Sequence, residues 1–361
     1  MEKLNFKNLS FYKNKRVLIT GNTGFKGSWL SIWLINMGAK VYGISKDIPT
    51  KPSLYKEAKL DKKINTFFLD IKNIKKLNKT INKIKPQIIF HLAAQAIVSK
   101  SFEKPMETFY SNSIGTANLL EYLRITKNKI VAIIITSDKC YYPTKRGYYD
   151  EKKKLGGIDP YSGSKAIAEI FFENYYQSFL YKKKNISCVS VRAGNVIGGG
   201  DWTANRIVPD FFKSVKKRQK IVLRNPKSNR PWQHVMEPLA VYLFLGLILS
   251  KNKNKNKING ESFNIGPNAK NNASVLTLIK KIINKCGQKI NISHENKNLF
   301  AETKKLNLNT NKIFKSIGWK NKLNFEQTCS FITEWYKKYD KDKSSVFDIT
   351  SKQIMEYIKL K

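Results

Sequence analysis

"VLITGNTGFKGSWL", which runs from Val17 to Leu30, decides the fold of this 361-residue chain. A short apolar run leads into three glycines, Gly21, Gly24 and Gly27, and a helical pattern of apolar residues follows them. Glycines at such a junction allow a tight turn and let a pyrophosphate approach the free N–H groups at the helix start. The spacing differs from the general G-x-G-x-x-G pattern, so an ordinary glycine-rich turn is the alternative. Its place between a first strand and a helix favours a dinucleotide site.

Apolar, strand-like runs alternate with helix-like segments over the first half of the chain. Runs that are apolar throughout indicate strands covered on both faces, as in a parallel sheet between two layers of helices. The predicted fold class is therefore α/β: a Rossmann-type, doubly wound parallel sheet with a smaller, mostly helical C-terminal part for the substrate. The predicted strands are Arg16–Thr20, Val41–Ser45, Asn65–Asp70, Gln87–Ala93, Ile130–Ser137 and Ser187–Gly194, and predicted helices include Ile71–Lys85, Met106–Ile125 and Tyr161–Leu180.

After about residue 195 the pattern loosens into loops and helices, which indicates a second part of the molecule. We expect residues 12–195 to form the dinucleotide-binding Rossmann domain. A returning segment near residues 232–267, with the strand-like run Glu261–Pro267, is expected to join that domain. Residues 196–231 and 268–361 are then expected to form the substrate-binding part.

The net charge of +41, from 67 Lys and Arg against 26 Asp and Glu, is extreme. A chain this basic suits nucleic acid or an anionic membrane surface. The lysines are scattered, however, and Lys, Asn and Ile are all abundant, as they are in A+T-rich genomes, so codon bias is the favoured explanation. We therefore predict no specific nucleic-acid partner, although a positive field still favours anionic substrates such as nucleotides.

Cysteine and histidine are too few and too scattered to predict a metal centre or a disulfide framework. The four cysteines form no Cys-x-x-Cys pair, and the chain has three histidines. We therefore predict no metal and a reducing, cytoplasmic location. The N-terminus lacks an apolar segment of the signal-peptide kind. The longest apolar run, Leu239–Ser250, is shorter than the ~20 residues that span a bilayer, so it predicts a buried helix and no membrane association.

Residues after the predicted strands could contact a dinucleotide. Asp47, after the second strand, either accepts hydrogen bonds from an adenosine ribose or is a plain surface carboxylate. Asp70, after the third, either meets the adenine amino group or caps the following helix. The small residues of "HLAAQ" would let a flat cofactor lie against the backbone, whereas we expect His91 to be packed. The predicted cofactor contacts are Gly21, Thr23, Gly24, Phe25, Lys26, Gly27, Asp47, Asp70, Leu92, Ala93, Ala94, Tyr161 and Lys165.

Tyr161 and Lys165, in "YSGSK", lie four residues apart at the start of a predicted helix, so they share one face. An ammonium beside a phenol favours the phenolate, and we therefore expect Lys165 to lower the pKa of Tyr161. Such a tyrosine can take the proton of a substrate alcohol while a hydride leaves for a nicotinamide. The Tyr-x-x-x-Lys pattern is common by chance and gains weight only from the fifth strand and the glycine loop upstream.

Several stretches together carry a resemblance to a known family: "TGNTGFKGSWL", "HLAAQ", "TSDKCY", "DPYSGSKAIAE", "RAGNVIGGGDW" and "RPWQHVMEPL". They span residues 20–240, "FNIGP" extends the match, and the C-terminal residues match more loosely. The chain resembles the extended short-chain dehydrogenase/reductases of the NAD-dependent epimerase/dehydratase family, and within it the CDP-glucose 4,6-dehydratases. The resemblance implies a lyase that holds NAD with its three glycines. The implied reaction on CDP-glucose is oxidation at C4, loss of water across C5–C6 and hydride return to C6.

By the same resemblance, Ser137 hydrogen-bonds the reacting oxygen while Tyr161 and Lys165 carry out the alcohol chemistry. Dehydratases that act on dTDP- and GDP-sugars have Thr-Asp-Glu where this chain has Ser137, Asp138 and Lys139. Asp138 is then the acid for the leaving hydroxyl, and Lys139, a departure typical of the CDP-glucose enzymes, stands where the base at C5 is found. Lysine is ordinarily charged at neutral pH, so the alternative is that Lys139 stays charged and stabilises the enolate.

Substrate contacts are predicted mainly after the sixth strand. The resemblance points Asn195 at the nucleotide-sugar phosphates and has the glycines Gly198–Gly200 shape a loop over the substrate, unless that loop is merely flexible. Arginine forks suit diphosphates, although solvated surface arginines are common. We expect His234 to pack or to orient Arg230, and Asp201 and Trp202 to be structural. The predicted substrate contacts are Gln95, Asn195, Arg206, Arg224 and Arg230.

The resemblance also implies a homodimer through the two long helices Met106–Ile125 and Tyr161–Leu180, and a role in deoxysugar supply for O-antigen or lipopolysaccharide. Two other functions stay open. An epimerase or reductase on the same fold usually lacks the acid–base pair that follows Ser137. A non-enzymatic NAD-sensing protein generally lacks the tyrosine or the lysine of the Tyr-x-x-x-Lys pattern, and this chain has both.

Overall fold

A sheet of seven parallel strands forms the centre of the molecule. The structure is a computed structural model, and the residues that it describes are 4–144, 148–251, 257–267, 272–287, 290–294 and 307–360. The strands, in chain order, are β1 (Arg16–Thr20), β2 (Lys40–Ser45), β3 (Asn65–Phe68), β4 (Ile88–His91), β5 (Ile130–Ile135), β6 (Tyr148–Tyr149), β7 (Ile186–Ala193), β8 (Val196–Ile197), β9 (Ile221–Leu223), β10 (Asn229–Pro231), β11 (Gln233–His234), β12 (Ser262–Ile265), β13 (Asn272–Ser274), β14 (Ile292–His294) and β15 (Asn307–Leu308).

Helices follow most strands of the central sheet. They are α1 (Phe25–Asn36), α2 (Leu54–Glu57), α3 (Ile74–Ile84), α4 (Val98–Glu103), α5 (Pro105–Phe109), α6 (Gly115–Ile125), α7 (Pro160–Tyr175), α8 (Ile207–Lys216), α9 (Met236–Ser250), α10 (Val275–Cys286), α11 (Asn311–Ile317), α12 (Phe325–Lys341) and α13 (Val346–Lys359). A π-helical turn, Tyr110–Ile114, joins α5 to α6, and another, Tyr176–Leu180, extends α7. These two long helical segments match the predicted helices closely.

The order of the strands creates a crevice in the sheet. The order is β12-β7-β5-β4-β1-β2-β3, so the chain builds outward from β1 in one direction and then restarts at β4 on the other side. Ligands of open parallel sheets bind outside the carboxyl ends of the strands at such a reversal. The predicted α/β fold is confirmed, and the glycine loop after β1 faces the small residues after β4 at this point.

The core explains why the sequence patterns were apolar throughout. Strands β5 and β7 are buried along their whole length, because elements cover both faces of the sheet. Helix α9 packs against both strands and is buried on nearly every side, so the run Leu239–Ser250 is confirmed as a buried helix. Among the described residues, no helix is both long enough and apolar enough to cross a membrane.

Short strand pairs and helices build the second part of the molecule. Strand β9 pairs with β14 and β10 with β13, which joins the segment before residue 231 to residues after 271. Helix α13 packs against α1 of the first part, and Trp335 of α12 lies against Gly199 of the second part. The last helices therefore contact both parts, and the division at residues 195 and 268 stays a prediction.

Candidate active site

One cleft of about 370 Å³ gathers most of the predicted catalytic and substrate residues. Its walls come from the loops after β1, β4, β5 and β7 and from the segment around β9 and β10. These loops converge because the carboxyl ends of parallel strands meet at one edge of the sheet. The predicted residues that line the cleft are Phe25, Lys26, Ser137, Asp138, Lys139, Tyr161, Asn195, Arg206, Arg224 and Arg230. Those outside its lining are Gly21, Thr23, Gly24, Gly27, Asp47, Asp70, Leu92, Ala93, Ala94, Gln95 and Lys165.

The turn after β5 presents an acid to this cleft. Ser137 begins a short 3₁₀ turn, and its hydroxyl accepts the backbone N–H of Lys139 at 3.2 Å. The same hydroxyl donates to Asp138 Oδ1 at 3.1 Å. Asp138 is only 3% exposed, and this burial raises the pKa of its carboxyl, while the charges of Lys139 and Arg230 and the Ser137 hydrogen bond oppose the rise. A buried carboxyl with a raised pKa suits an acid that must donate a proton.

Gly194, at the end of β7, leaves the space that Asp138 occupies. A Cβ atom at this position would overlap the Asp138 carboxylate, so any larger residue must displace the acid. The Gly194 carbonyl also accepts a hydrogen bond from Gln233 Nε2 at 2.8 Å, which fixes the backbone behind the carboxylate. Sequence reasoning assigned no role to Gly194, and its only signal was a glycine directly after a buried strand.

Helix α7 presents Tyr161 in its first turn and Lys165 one turn later. The helix starts after Asp159, whose carboxylate accepts the Ser162 N–H at 2.9 Å, and such a cap fixes where the helix begins. Tyr161, Ser137 and Asp138 all line the same cleft. The structure therefore places the phenol beside the turn that carries the acid.

The expected lowering of the tyrosine pKa is wrong for this structure. Burial raises the pKa of Tyr161, and the Ser137 hydrogen bond and the charge of Arg206 oppose the rise only in part. Burial also lowers the pKa of Lys165 to about 7, helped by the nearby charge of Lys26. A lysine that is partly uncharged at neutral pH is a weaker source of positive potential for the phenol, so desolvation dominates.

A buried ion pair supports the turn that carries Ser137 and Asp138. The sequence did not predict this pair. Glu169, two turns after Tyr161 on α7, contacts Arg192 of β7 at 2.8 Å. Arg192 and the hydrogen bonds around Glu169 hold the pKa of that carboxyl below its usual range despite burial. Its hydrogen-bond donors are Arg192, Thr136, Ser190 and Ser262. Because Thr136 directly precedes Ser137, this pair holds the end of β5 against α7.

The glycine loop fits a dinucleotide phosphate by its shape. Gly21 has a φ of 75°, and a Cβ there would lie 2.8 Å from Ala93 N, so only glycine lets the loops after β1 and β4 touch. Gly24 caps the start of α1 without a side chain, and a Cβ there would meet only the Gly21 carbonyl oxygen, at 3.4 Å. No side chain caps the start of α1, so its free N–H groups are available to an anion.

Other predicted cofactor residues shape the surroundings of this loop. The Thr23 hydroxyl donates to the Asp47 carbonyl at 2.7 Å, and the Asp47 side chain is exposed. Asp70 pairs with Lys72 at 3.4 Å and does not cap α3, whose N-terminal cap is Asn73. A ribose could therefore reach Asp47, whereas the predicted alternative of a helix cap is wrong for Asp70.

Two predicted residues are held in internal contacts. The Gln95 side chain accepts the Ile97 N–H at 2.6 Å and donates to the Ile97 carbonyl at 3.0 Å. It therefore stabilises the loop after β4. His91 is buried between the hydroxyls of Thr20, at 2.8 Å, and Thr116, at 3.2 Å. Gln95 therefore holds the loop in shape, and His91 is packed as expected.

The loop after β8 is packed and therefore well supported. The Gly199 carbonyl accepts the Trp29 indole N–H at 2.9 Å, and Gly199 itself lies against Trp335. His234 packs edge-on against Trp29, and burial lowers its pKa to about 3, so it is a packing residue. Asp201 is buried and pairs with Arg206 at 3.1 Å.

Positive side chains surround the cleft. Asp201 holds Arg206 at its edge, and the Arg224 guanidinium lies 3.4 Å from Asn205 Oδ1. Arg230 donates to the carbonyl of its neighbour Asn229 at 3.1 Å. Three arginines around one cavity, with Lys26 and Lys139 in the same lining, can bind a ligand that carries two or more phosphate charges.

Comparisons with known proteins agree with this geometry. The family model described as "GDP-mannose 4,6 dehydratase" matches residues 18–332. A CDP-glucose 4,6-dehydratase from Salmonella typhimurium is 37% identical over 97% of this chain and 98% of its own length. Among solved structures, epimerase Mth375 from Methanothermobacter thermautotrophicus has a TM-score of 0.79 at 19% identity, covering 93% of this chain and 96% of that one.

A further solved structure is a dTDP-glucose 4,6-dehydratase from Bacillus anthracis in complex with NAD. It has a TM-score of 0.73 at 22% identity and covers 90% of this chain and 97% of that one. At this identity the two solved structures support the fold alone. The family model and the full-length Salmonella relative go further, and they show that this chain belongs to the family described as GDP-mannose 4,6 dehydratase.

Proposed function

We propose that the protein is an NAD-dependent hydro-lyase that converts CDP-glucose to CDP-4-dehydro-6-deoxyglucose. One observation carries the proposal: Tyr161, Ser137 and Asp138 line the same cleft, and the Ser137 hydroxyl donates to Asp138 Oδ1. A 4,6-dehydratase needs a base at the 4-hydroxyl and an acid at the 6-hydroxyl of one sugar ring. The full-length relative from Salmonella supports cytidine as the nucleotide and glucose as the sugar.

Residues at the crevice between β1 and β4 would hold NAD. The N–H groups at the start of α1, next to Gly24, would bind its pyrophosphate, and Asp47 lies where a ribose hydroxyl could reach it. Tyr161 and Lys165 would contact the nicotinamide half, since both lie on one face of α7 and Tyr161 lines the cleft. The chemistry that NAD supplies when bound is reversible hydride transfer, from C4 of the sugar and back to C6.

The side chains of the protein manage the protons of the reaction. Tyr161 Oη, once ionised, takes the proton of the 4-hydroxyl, and Asp138 gives a proton to the departing 6-hydroxyl. Lys139 stands at the cleft beside Asp138 and removes the C5 proton, or stays charged and stabilises the enolate. The positive side chains near the cleft stabilise the negative charge that develops on the sugar ring when the C5 proton leaves. They therefore favour the reaction whichever of the two roles Lys139 has.

The arginines would bind the diphosphate. Arg206 is held in place by Asp201, and a preorganised guanidinium binds phosphate with little loss of side-chain entropy. Arg224 and Arg230 complete the positive lining, and Asn195 joins it from the end of β7. The phosphates would then set the distance from the nucleotide to the sugar ring.

An exposed apolar stripe supports a homodimer. Phe102, Met106, Tyr110 and Ile114 recur every four residues along α4, α5 and the π-turn, and each is between 38 and 59% exposed. Ile170 on the neighbouring helix α7 is 44% exposed. Two adjacent helices with apolar surface can pair with a second copy as a four-helix bundle. Met106→Glu should then shift the sedimentation of the protein from dimer to monomer, and an unchanged sedimentation coefficient would contradict the dimer.

The alternative functions are another nucleotide-sugar 4,6-dehydratase and an epimerase of the same fold. An epimerase needs no acid at a 6-hydroxyl, so a buried Asp138 carboxyl whose pKa burial raises favours a dehydratase. We further propose a cytoplasmic location and a role in making deoxysugars for surface polysaccharides such as O-antigen. These proposals follow the family resemblance.

Incubation with CDP-glucose tests the function directly. We expect the sugar nucleotide to lose one water, seen by mass spectrometry, and to gain the alkaline absorbance of a 4-keto-6-deoxy sugar, while NADH does not accumulate. UDP-, dTDP- and GDP-glucose or GDP-mannose serve as competitors of matched charge. Turnover of one of these in place of CDP-glucose would overturn the cytidine assignment, and accumulation of NADH would overturn the dehydratase cycle.

A further inference from the structure

Two walls of the cleft carry different chemistry. The loop after β5 and helix α7 supply Ser137, Asp138 and Tyr161, which act on the sugar in the proposed reaction. A second wall comes from α8 and β9, and the lining that these elements contribute includes Val208, Pro209, Asp210 and Val222. With the sugar at the first wall and the diphosphate on the arginines, the nucleotide base is left with the wall that α8 and β9 form.

Apolar side chains of this second wall suit the face of a heterocycle. Val222 is the middle residue of β9, and it is 39% exposed between the buried Ile221 and Leu223. Val208 and Pro209 are buried in the first turn of α8. An exposed aliphatic side chain in a cleft gains favourable free energy when a base covers it. Such contacts bind a pyrimidine, but they do not distinguish one pyrimidine from another.

Asp210 is the group of this wall that can make the distinction. It is a half-buried residue in the first turn of α8, and its side chain lines the cleft. The other carboxylates of the lining are engaged elsewhere, since Asp201 pairs with Arg206 at 3.1 Å and Asp138 lies in the turn after β5. Within the part of the chain that the structure describes, Asp210 forms no ion pair.

We propose that Asp210 selects cytosine over uracil and thymine by accepting a hydrogen bond from the 4-amino group of the base; the inference rests on the proposed function. Cytosine carries a donor at C4, whereas thymine and uracil carry an acceptor oxygen there. A carboxylate therefore attracts the first and repels the others. Of the nearest cations, Lys213 donates to the Trp202 carbonyl at 2.8 Å and Arg224 lies 3.4 Å from Asn205 Oδ1.

The competing role for Asp210 is structural. An acid in the first turn of a helix stabilises that helix through its dipole. Asp210 could also support the turn before α8, where Asn205 has a φ of 62°. A structural role would affect the binding of every nucleotide alike, so the preference between bases separates the two roles.

Kinetics of Asp210→Ala with CDP-glucose and UDP-glucose test the selection in the NAD-loaded protein. We expect kcat/KM for CDP-glucose to fall by about 10–100-fold, as for the loss of a hydrogen bond to a charged group, and kcat/KM for UDP-glucose to stay equal or rise. Asp210→Asn can donate an amide N–H to the uracil oxygen and should gain activity on UDP-glucose. Lys216→Gln, at an exposed position on the same helix, is the control and should keep the wild-type preference.

A CDP-glucose analogue with 2-pyrimidinone in place of cytosine removes the same contact from the ligand. The wild type should lose about the same factor on this analogue, and Asp210→Ala should not distinguish the analogue from CDP-glucose. Discrimination that survives in Asp210→Ala would overturn the selection by Asp210. Equal losses of Asp210→Ala on CDP-glucose and UDP-glucose would also overturn it and leave Asp210 with the structural role.

Calorimetric binding of CDP and UDP to the same variants needs no turnover. The wild type should bind CDP more tightly, and Asp210→Ala should lose that preference. A wild type that bound CDP and UDP equally would overturn the selection. Failure of the wild type to release water from any sugar nucleotide would instead overturn the proposed function, and the calorimetric preference would still decide the role of Asp210.

Discussion

Asp138 and Glu169 are both buried carboxylates, and they lie on either side of the same short stretch of chain. Thr136 donates to Glu169, and the next residue, Ser137, donates to Asp138. Arg192 and the hydroxyls of Thr136 and Ser190 hold the pKa of Glu169 below its usual range despite burial, whereas burial raises the pKa of Asp138. A carboxylate held by an arginine and several hydroxyl donors stabilises the structure, and one that is desolvated beside a cleft can exchange a proton.

Asp138→Asn should give the largest effect, on activity. Asparagine has nearly the same shape and cannot donate a carboxyl proton to the leaving hydroxyl, so we expect kcat to fall by about 10²–10⁴-fold. Stopped assays with CDP-glucose measure this loss. The melting temperature should stay equal or rise slightly, because the change removes a buried acid; a matched fall in stability and activity would show that Asp138 is a structural group.

Glu169→Gln should instead lower the stability of the protein and leave most of its activity. The change leaves the Arg192 guanidinium buried without its counter-charge, which costs about 3–5 kcal/mol of unfolding free energy. Urea unfolding followed by tryptophan fluorescence measures the loss. Activity per folded molecule should fall far less than in Asp138→Asn.

A double-mutant cycle sharpens the assignment of Glu169. Adding Arg192→Met removes the orphaned charge, so the double variant should recover part of the stability that Glu169→Gln loses. Strictly additive losses would mean that the Glu169 and Arg192 side chains do not interact. Glu169 could then no longer be contrasted with Asp138 as the carboxylate that stabilises the structure.

Much of the site follows from local pattern. Ser137, Asp138 and Lys139 come directly after an apolar run, and a strand that ends in polar residues marks the edge of a parallel sheet. Tyr161 and Lys165 lie one helical turn apart, so one helix places both. Such arrangements could be predicted because each depends on residues within a few positions of one another.

Contacts between distant elements could not be predicted in this way. Glu169 and Arg192 meet only when α7 packs on β7, and no spacing in the chain marks the pair. Gly194 is required because the carboxylate of a different strand loop fills its Cβ position. The pKa of Tyr161 moved against expectation for the same reason: the neighbouring lysine is visible in sequence, whereas the depth of burial is not.

Gly194→Ala tests how closely the fold holds Asp138. The new Cβ would overlap the carboxylate, and displacing a catalytic group by about 1 Å costs on the order of 10–100-fold in kcat. The control is Gly163→Ala on α7, where a Cβ would make only ordinary contacts of 3.6 Å with Phe109. An equal loss of kcat in the two variants would mean that the space behind Asp138 has no special role.

Glu237 is a third buried carboxyl, and it shows that a raised pKa alone does not mark a catalytic group. Its oxygens accept the Lys322 and Leu323 N–H groups, at 2.9 and 2.7 Å, and the Tyr357 hydroxyl at 3.0 Å. These bonds tie α9 to the C-terminal helices, outside the lining of the cleft. Burial raises the pKa of Glu237 to about 7.

Glu237→Gln should therefore change the pH dependence of stability and leave kcat alone. The carboxyl is neutral in the folded protein below its pKa of about 7, whereas in the unfolded chain it ionises near its ordinary, lower value. The stability that Glu237 contributes is thus present at low pH and lost as pH rises through about 7. Relative to wild type, Glu237→Gln should gain about 2 kcal/mol between pH 5 and about pH 8, measured by urea unfolding at each pH. Glu103→Gln, at an exposed position on α4, is the control, and parallel pH profiles for wild type and Glu237→Gln would show that Glu237 stays ionised in the fold.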